Sequence, residues 1–309
     1  MSQLTYVIGH KNPDTDSVVS AIVLSDYLKS KKVKAVACVG GNLNKESKFV
    51  LSLAKERYPR KISSASKKTF FLVDHGNLEE SIEGMKADSI CGVLDHHKMS
   101  GISTDMPIFY RCEPVGSTST LIYKLFEESN IKLNKKQATL LLCAIISDTL
   151  KFNSSTTTKE DETIARKLSK LSGLKISELA EKMFKEKSDL SGMKPKEIIL
   201  NDYKEYVFLK GKIGVGNHET TDISATEEIK EKLLNEMSKI KKEKKVDYLF
   251  FTVIDIINKD CYFYLESLKE KELIKKLFKG STLEEKIIKV RGIVSRKKEI
   301  VPPLSKALN

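Results

Sequence analysis

A chain of 309 residues is long enough for two domains of ordinary size, each burying its own core without disulfide staples. Its composition, 40% apolar and 31% charged, is that of a soluble globular protein, and no run of eighteen or more apolar residues is present to span a membrane. The formal charge of +12 suits an anionic partner, whether nucleic acid, nucleotide or phosphate, without choosing among them.

The opening "MSQLTYVIGH" has no basic region followed by an apolar leader, so a cytoplasmic location is expected. The first half alternates short apolar runs with helical patterns, which predicts an α/β domain built on a parallel sheet. Strands are expected at "TYVIGH", "KAVACVG", "FFLVDHG" and "CGVLDHH", and the helix "DSVVSAIVLSDYLKS" joins the first two as a βαβ unit. "GSTSTLIYKLFEESN" and "NKKQATLLLCAIISD" read as helices, the second apolar on nearly every side and therefore buried. Two further helices follow, "TKEDETIARKLSKLSG" and "SELAEKMFKEK".

The stretch "SDLSGMKPK" combines Ser, Gly, Asp and Pro after a helix and reads as a linker over 188–196, dividing domains at 1–187 and 197–309. The second, smaller mixed α/β domain is expected to hold the hairpin "EYVFLKGKIGVG" and a lysine-rich helix whose "KIKKEKK" is a solvated face. Strands "DYLFFTVIDII" and "CYFYLE", a helix near "KELIKKLFKG" and a last strand "KIIKVRGIVS" complete it. Five cysteines, odd in number and lacking a CxxC pair, read as reduced thiols, mostly buried.

Three chemistry-bearing clusters share one structural position. His10, Asp14 and Asp16 follow the first strand, Asp74 and His75 end "FFLV", and Asp95, His96 and His97 end "CGVL". Ligands of an open parallel sheet bind outside the carboxyl ends of its strands, so these groups are expected to converge in one crevice. A single DxD is ordinarily a turn, but four of the chain's five histidines fall in these three places. Carboxylates packed together repel and are costly to desolvate, so cations are the natural partner, and mixed imidazole and carboxylate donors point to Mn, Co, Fe or Zn rather than calcium. More than four donors imply a pair of ions able to activate water and clamp phosphoryl oxygens. Asp148, in "AIISDTL" at the end of the buried helix, is read as a further ligand, and the basic run "SRKKEIVPP" (295–303) as a clamp for a compact polyanion.

In this order, "GHKNPDTDS", "LVDHG", "LDHHK", "AIISDT" and "SRKKEIVPP" resemble the family II inorganic pyrophosphatases of the DHH phosphoesterase superfamily, across essentially the whole chain. The DHH triplet points only to the superfamily, whereas N-P-D-T-D and S-R-K-K narrow it. The resemblance implies an N-terminal DHH domain, a C-terminal DHHA2-type domain and an active site in the cleft between them. It implies that His10, Asp14 and Asp74 hold one Mn²⁺ or Co²⁺ and that Asp16, Asp74, His96 and Asp148 hold a second. A hydroxide between the metals would attack pyrophosphate, with an additional Mg²⁺ arriving on the substrate. His97, Lys204, Arg296 and Lys297 would grip substrate oxygens, and His75 and Asp95 would orient imidazole ligands from behind. A homodimer through the first domain is implied, with neither nucleic acid nor membrane as partner. Closure about the linker would bring the basic run onto the metals.

An exopolyphosphatase or a DHH phosphoesterase acting on short oligonucleotides is the alternative. The second domain lacks a GGGH-type element, and "GVGNHETTDIS" is read as a surface loop carrying His218. A catalytically silent binding module is disfavoured, because such a module has no need of six intact ligands.

Overall fold

The computed structural model describes residues 4–98 and 101–309, which divide into two compact units, one ending at Glu186 and the other Lys187–Asn309. In the first, β1 (Thr5–Ile8), α1 (Thr15–Ser30), β2 (Ala35–Val39), α2 (Lys45–Leu53), β3 (Arg60–Lys61) and β4 (Thr69–Val73) are followed by β5 (Ile90–Asp95) and β6 (Phe109–Cys112). Helices α3 (Thr118–Glu128), α4 (Lys135–Asp148), α5 (Lys159–Ser172) and α6 (Ile176–Ser188) complete the series.

All six strands pair in parallel, in the order β3-β2-β1-β4-β5-β6. β1 lies between β2 and β4, so the chain leaves it first toward one edge and then toward the other. Connections that part this way open a crevice at the carboxyl ends of β1 and β4. The predicted strands are the central ones. β3 and β6, only two and four residues long, extend the sheet beyond what the sequence pattern indicates. Helix α4 is buried all round, every residue from Leu140 to Ile146 being fully covered, and it packs against α1 and α5.

In the second unit α7 (Pro195–Leu200), β7 (Asp202–Phe208), β8 (Gly211–Thr220), α8 (Ser224–Glu227) and α9 (Lys230–Lys244) precede β9 (Tyr248–Asp255) and β10 (Asp260–Leu265). α10 (Leu268–Leu277), β11 (Gly280–Glu284), β12 (Ile287–Arg291) and α11 (Val301–Leu308) follow. The sheet runs β11-β12-β10-β9-β8-β7, antiparallel except for the β8–β9 pair. β9 is its axis, all eight residues buried. Residues 188–196 pack within this unit: Leu190 and Met193 rest on its core, and Ser188 Oγ accepts a hydrogen bond from the Thr221 amide.

His218 corrects the sequence reading. It lies on β8, 6% exposed, because the strand continues through "GVGNHET" in register with β9 from Ile213↔Tyr248 to Thr220↔Asp255. A glycine of this stretch serves close packing. A Cβ on Gly216 would stand 2.2 Å from the carbonyl oxygen of Ile199 on α7. Backbone cannot retreat as a flexible side chain does, so Gly216→Ala is expected to destabilise the protein by about 1–3 kcal/mol in urea unfolding, read as a lower midpoint at unchanged slope.

Candidate metal centre

The crevice of the first unit is lined from four segments. After β1 the chain turns at His10 and enters α1 with Asp14 as its N-cap, one oxygen accepting the Ser17 amide at 2.9 Å. The other oxygen of Asp14 lies 3.5 Å from His10 Nε2. Asp74 ends β4 in the left-handed conformation (φ 60°), which Asp tolerates better than most residues and which swings its carboxylate across the strand ends. Its Oδ2 lies 3.5 Å from His10 Nε2 and its Oδ1 3.4 Å from His96 Nε2. His96 Nε2 in turn lies 3.2 Å from Asp148 Oδ2, where α4 ends.

Ligand-type atoms of His10, Asp14 and Asp74 therefore lie within 4.8 Å of one another, and so do those of Asp16, Asp74, His96 and Asp148. Asp74 belongs to both groups. A third grouping combines Asp74, His96 and His97. His96 Nε2 and Asp148 Oδ2 are buried yet make no hydrogen bond among the described residues. Two buried polar atoms that lie 3.2 Å apart and yet make no hydrogen bond suit a cation held by both, and the N/O donor set suits a divalent transition metal.

The electrostatics express the same crowding. Burial disfavours the imidazolium of His10, but Asp14 and Asp74 outweigh it and raise its pKa to about 10. His96 is likewise raised to about 10, burial being overcome by Asp148 and Asp74. Burial, reinforced by the charge of Asp74, lifts Asp16 to about 7 despite its hydrogen bonds. Burial also pushes against ionisation of Asp74, yet the neighbouring His10 and His96 imidazoles hold its carboxyl well below the usual range. Burial likewise pushes the Asp148 carboxyl well above the usual range, so without a metal the centre holds protons on carboxyls as well as on histidines.

The support around the ligands comes from segments with no chemical signature in the sequence. Asp16 accepts hydrogen bonds from Ser117 Oγ (2.8 Å), the Thr118 amide (2.7 Å), and Ser119 through its amide (3.1 Å) and hydroxyl (2.6 Å). "GSTST" thus cradles Asp16 at the start of α3. Thr118 Oγ1 also donates to Asp74 at 3.1 Å, and the Val115 carbonyl accepts from His96 Nδ1 at 2.9 Å, directing Nε2 at the ligands. Asp161 on α5 fixes the cradle from behind, accepting from the Gly116 amide (2.8 Å) and Thr120 Oγ1 (2.6 Å) while capping α5 through Thr158.

His75 and Asp95, both expected to hold imidazoles in place, differ in their contacts. His75 bonds the Val73 carbonyl and Ser81 Oγ, both at 2.9 Å, and holds the loop after β4 rather than a neighbouring imidazole. Asp95 Oδ1 accepts from the amides of His96 and His97 and from His97 Nδ1 at 2.8 Å, so the ring it orients is His97. Past Asp148 three successive residues, Leu150, Lys151 and Phe152, are left-handed without a glycine, and the Thr149 hydroxyl accepts the Phe152 amide at 3.2 Å. Strain of this kind persists only where surrounding contacts impose it.

In the second unit Lys204 lies on β7, and Arg296 and Lys297 open a π-turn, Arg296–Ile300, after β12. The Arg296 guanidinium is pinned to Asp202, with Nη1 2.6 Å from its carbonyl oxygen and Nη2 2.7 Å from its carboxylate.

A DHH family N-terminal domain model matches residues 4–145, and a DHHA2 domain model matches residues 181–307. A manganese-dependent inorganic pyrophosphatase of Methanothrix thermoacetophila is 35% identical over 309 residues, 99% of each chain. This chain belongs to the manganese-dependent, family II inorganic pyrophosphatases. A second family member, from Methanocaldococcus jannaschii, is 37% identical over 99% of this chain and 100% of its own. A solved Methanococcus jannaschii structure assigned to family II superposes with a TM-score of 0.88 at 37% identity, covering 99% of both chains. No helix among the described residues is long and apolar enough to cross a membrane.

Asp161→Ala would strip the family's DHH unit of a helix cap and leave the Gly116 amide and Thr120 hydroxyl unpaired in a buried place. A loss of about 2–4 kcal/mol is expected in chemical denaturation of the metal-free protein.

Proposed function

We propose that this protein hydrolyses inorganic pyrophosphate to two orthophosphates, using two Mn²⁺ or Co²⁺ ions. One would be held by His10, Asp14 and Asp74, the other by Asp16, Asp74, His96 and Asp148. The observation that carries this reading is the position of Asp74, one carboxylate with an oxygen toward each histidine, at 3.5 Å and 3.4 Å. Family membership supports pyrophosphate as substrate over polyphosphate or an oligonucleotide, and manganese is the metal in the relatives' names. An additional Mg²⁺ with the substrate, a homodimer through the first unit and a cytoplasmic location complete the proposal.

When bound, the metals supply Lewis acidity and a water that loses its proton at neutral pH. The chain's own contribution is placement and proton handling. With Nδ1–H committed to Asp95, any proton that His97 gives to a leaving phosphate moves at Nε2. Lys204, Arg296 and Lys297 are the proposed grip on substrate oxygens. Arg296 is fixed by Asp202 before substrate arrives, so little freedom is lost on binding. Orientation and charge neutralisation suffice for a phosphoanhydride, since hydrolysis requires no covalent work from side chains.

Phosphate release by chelator-stripped protein, reloaded with Mn²⁺ and offered pyrophosphate, long polyphosphate or a dinucleotide, tests the assignment. Release from pyrophosphate alone is expected, with Asp74→Ala inactive and unable to retain Mn²⁺. Release mainly from another substrate would overturn it.

Metal binding is also expected to expel protons, because His10 and His96 hold theirs up to about pH 10 and Asp16 up to about 7. Mn²⁺ affinity should therefore rise with pH from 6 to 8. Calorimetric titrations in buffers of different ionisation enthalpy measure the proton count, and zero release would exclude these groups as ligands.

A further inference from the structure

Glu46 sits in the first turn of α2 and is 1% exposed. An acidic residue there is ordinarily explained by the helix dipole, but Asn44 already caps this helix, its side chain accepting the Ser47 amide at 2.7 Å. The carboxylate of Glu46 instead reaches two other elements. Its Oε2 accepts from Thr15 Oγ1 at 2.8 Å and from Ser147 Oγ at 2.7 Å. Thr15 stands between Asp14 and Asp16; Ser147 immediately precedes Asp148.

A single buried oxygen thus ties the start of α1 to the end of α4, at the level where both helices present acids to the centre. Those acids carry like charge, so their spacing has to be held by other contacts. Two hydroxyl donors converging on one buried acceptor oxygen fix the separation of the segments that carry them. We propose that Glu46 is a positioning residue for the metal centre, setting the distance between the Asp14/Asp16 and Asp148 ligands through Thr15 and Ser147. This rests on the metal-binding reading above.

The test uses chelator-stripped full chain and Mn²⁺ alone as probe, with bound ion counted by calorimetry and by the electron paramagnetic resonance signal of Mn²⁺. Glu46→Ala is expected to weaken Mn²⁺ binding about 10–100-fold, as loss of a residue supporting metal ligands does. Glu46→Gln keeps an acceptor oxygen where Oε2 stands, and its affinity is expected to remain close to that of the parent. Thr15→Val and Ser147→Ala should each weaken binding, and adding either to Glu46→Ala should cost little more, because Glu46→Ala already removes both hydrogen bonds. Should Glu46→Ala fail to fold, Thr15→Val and Ser147→Ala carry the test. A general packing role would lower thermal stability of the metal-free variants and leave the Mn²⁺ isotherm unmoved; that result, or a Gln variant as impaired as Ala, overturns the proposal. A parent protein that takes up no Mn²⁺ would instead overturn the metal-binding reading itself.

Discussion

The shared carboxylate of Asp74 is the constraint around which the first unit is arranged. To face His10 with one oxygen and His96 with the other, it must stand between the ends of β1 and β5, and β4 is the strand that lies between them. It must also leave the strand direction sharply, and the left-handed backbone at Asp74 achieves that. The parallel order is therefore more than a scaffold. Because β1, β4 and β5 all point the same way, three consecutive carboxyl ends deliver His10, Asp74 and His96 to one place, and α4 brings Asp148 with its own carboxyl end.

Convergence of this kind has an energetic cost that the surrounding hydroxyls and amides offset. Asp16 would be intolerable in the interior with nothing to receive it, and the start of α3 receives it with both backbone and side-chain donors. The left-handed turn after Asp148 and the burial of Asp161 belong to the same economy: ordinary local preferences give way near the ligands and are compensated by contacts a shell further out. The second unit solves an opposite problem, holding a cation instead of anions. Asp202 keeps the guanidinium of Arg296 in place, and Asn217 braces Asp202 at 3.3 Å while its own oxygen accepts from Thr252.

Much of this was legible in the residues. The central strands are continuous apolar runs, the buried α4 is apolar on all sides, and the ligand-type residues cluster where strands end, so periodicity and position locate them. β3, β6 and β11 are short or polar and depend on neighbours already in place, and a pattern within one segment cannot reveal them. The burial of His218 escaped for a related reason, since the strand that carries it packs beneath α7, where Gly216 makes room, and a single segment does not show that cover. The least legible part is the support. Serine and threonine in "GSTST", Glu46 and Asp161 act by hydrogen bonds across 31 to 103 residues, a distance over which a single sequence carries no readable pattern.

The order of these groups along the chain bears on how the protein comes into being. The first candidate ligand is residue 10 and the last residue 148, and the cradle for Asp16 lies at 117–119. During synthesis the early segment emerges with its acids unmatched, and neither cradle nor second histidine is available until most of the first unit has been made. A complete set of candidate ligands therefore exists only once this unit is nearly complete, and the second unit, with a core of its own, emerges later still.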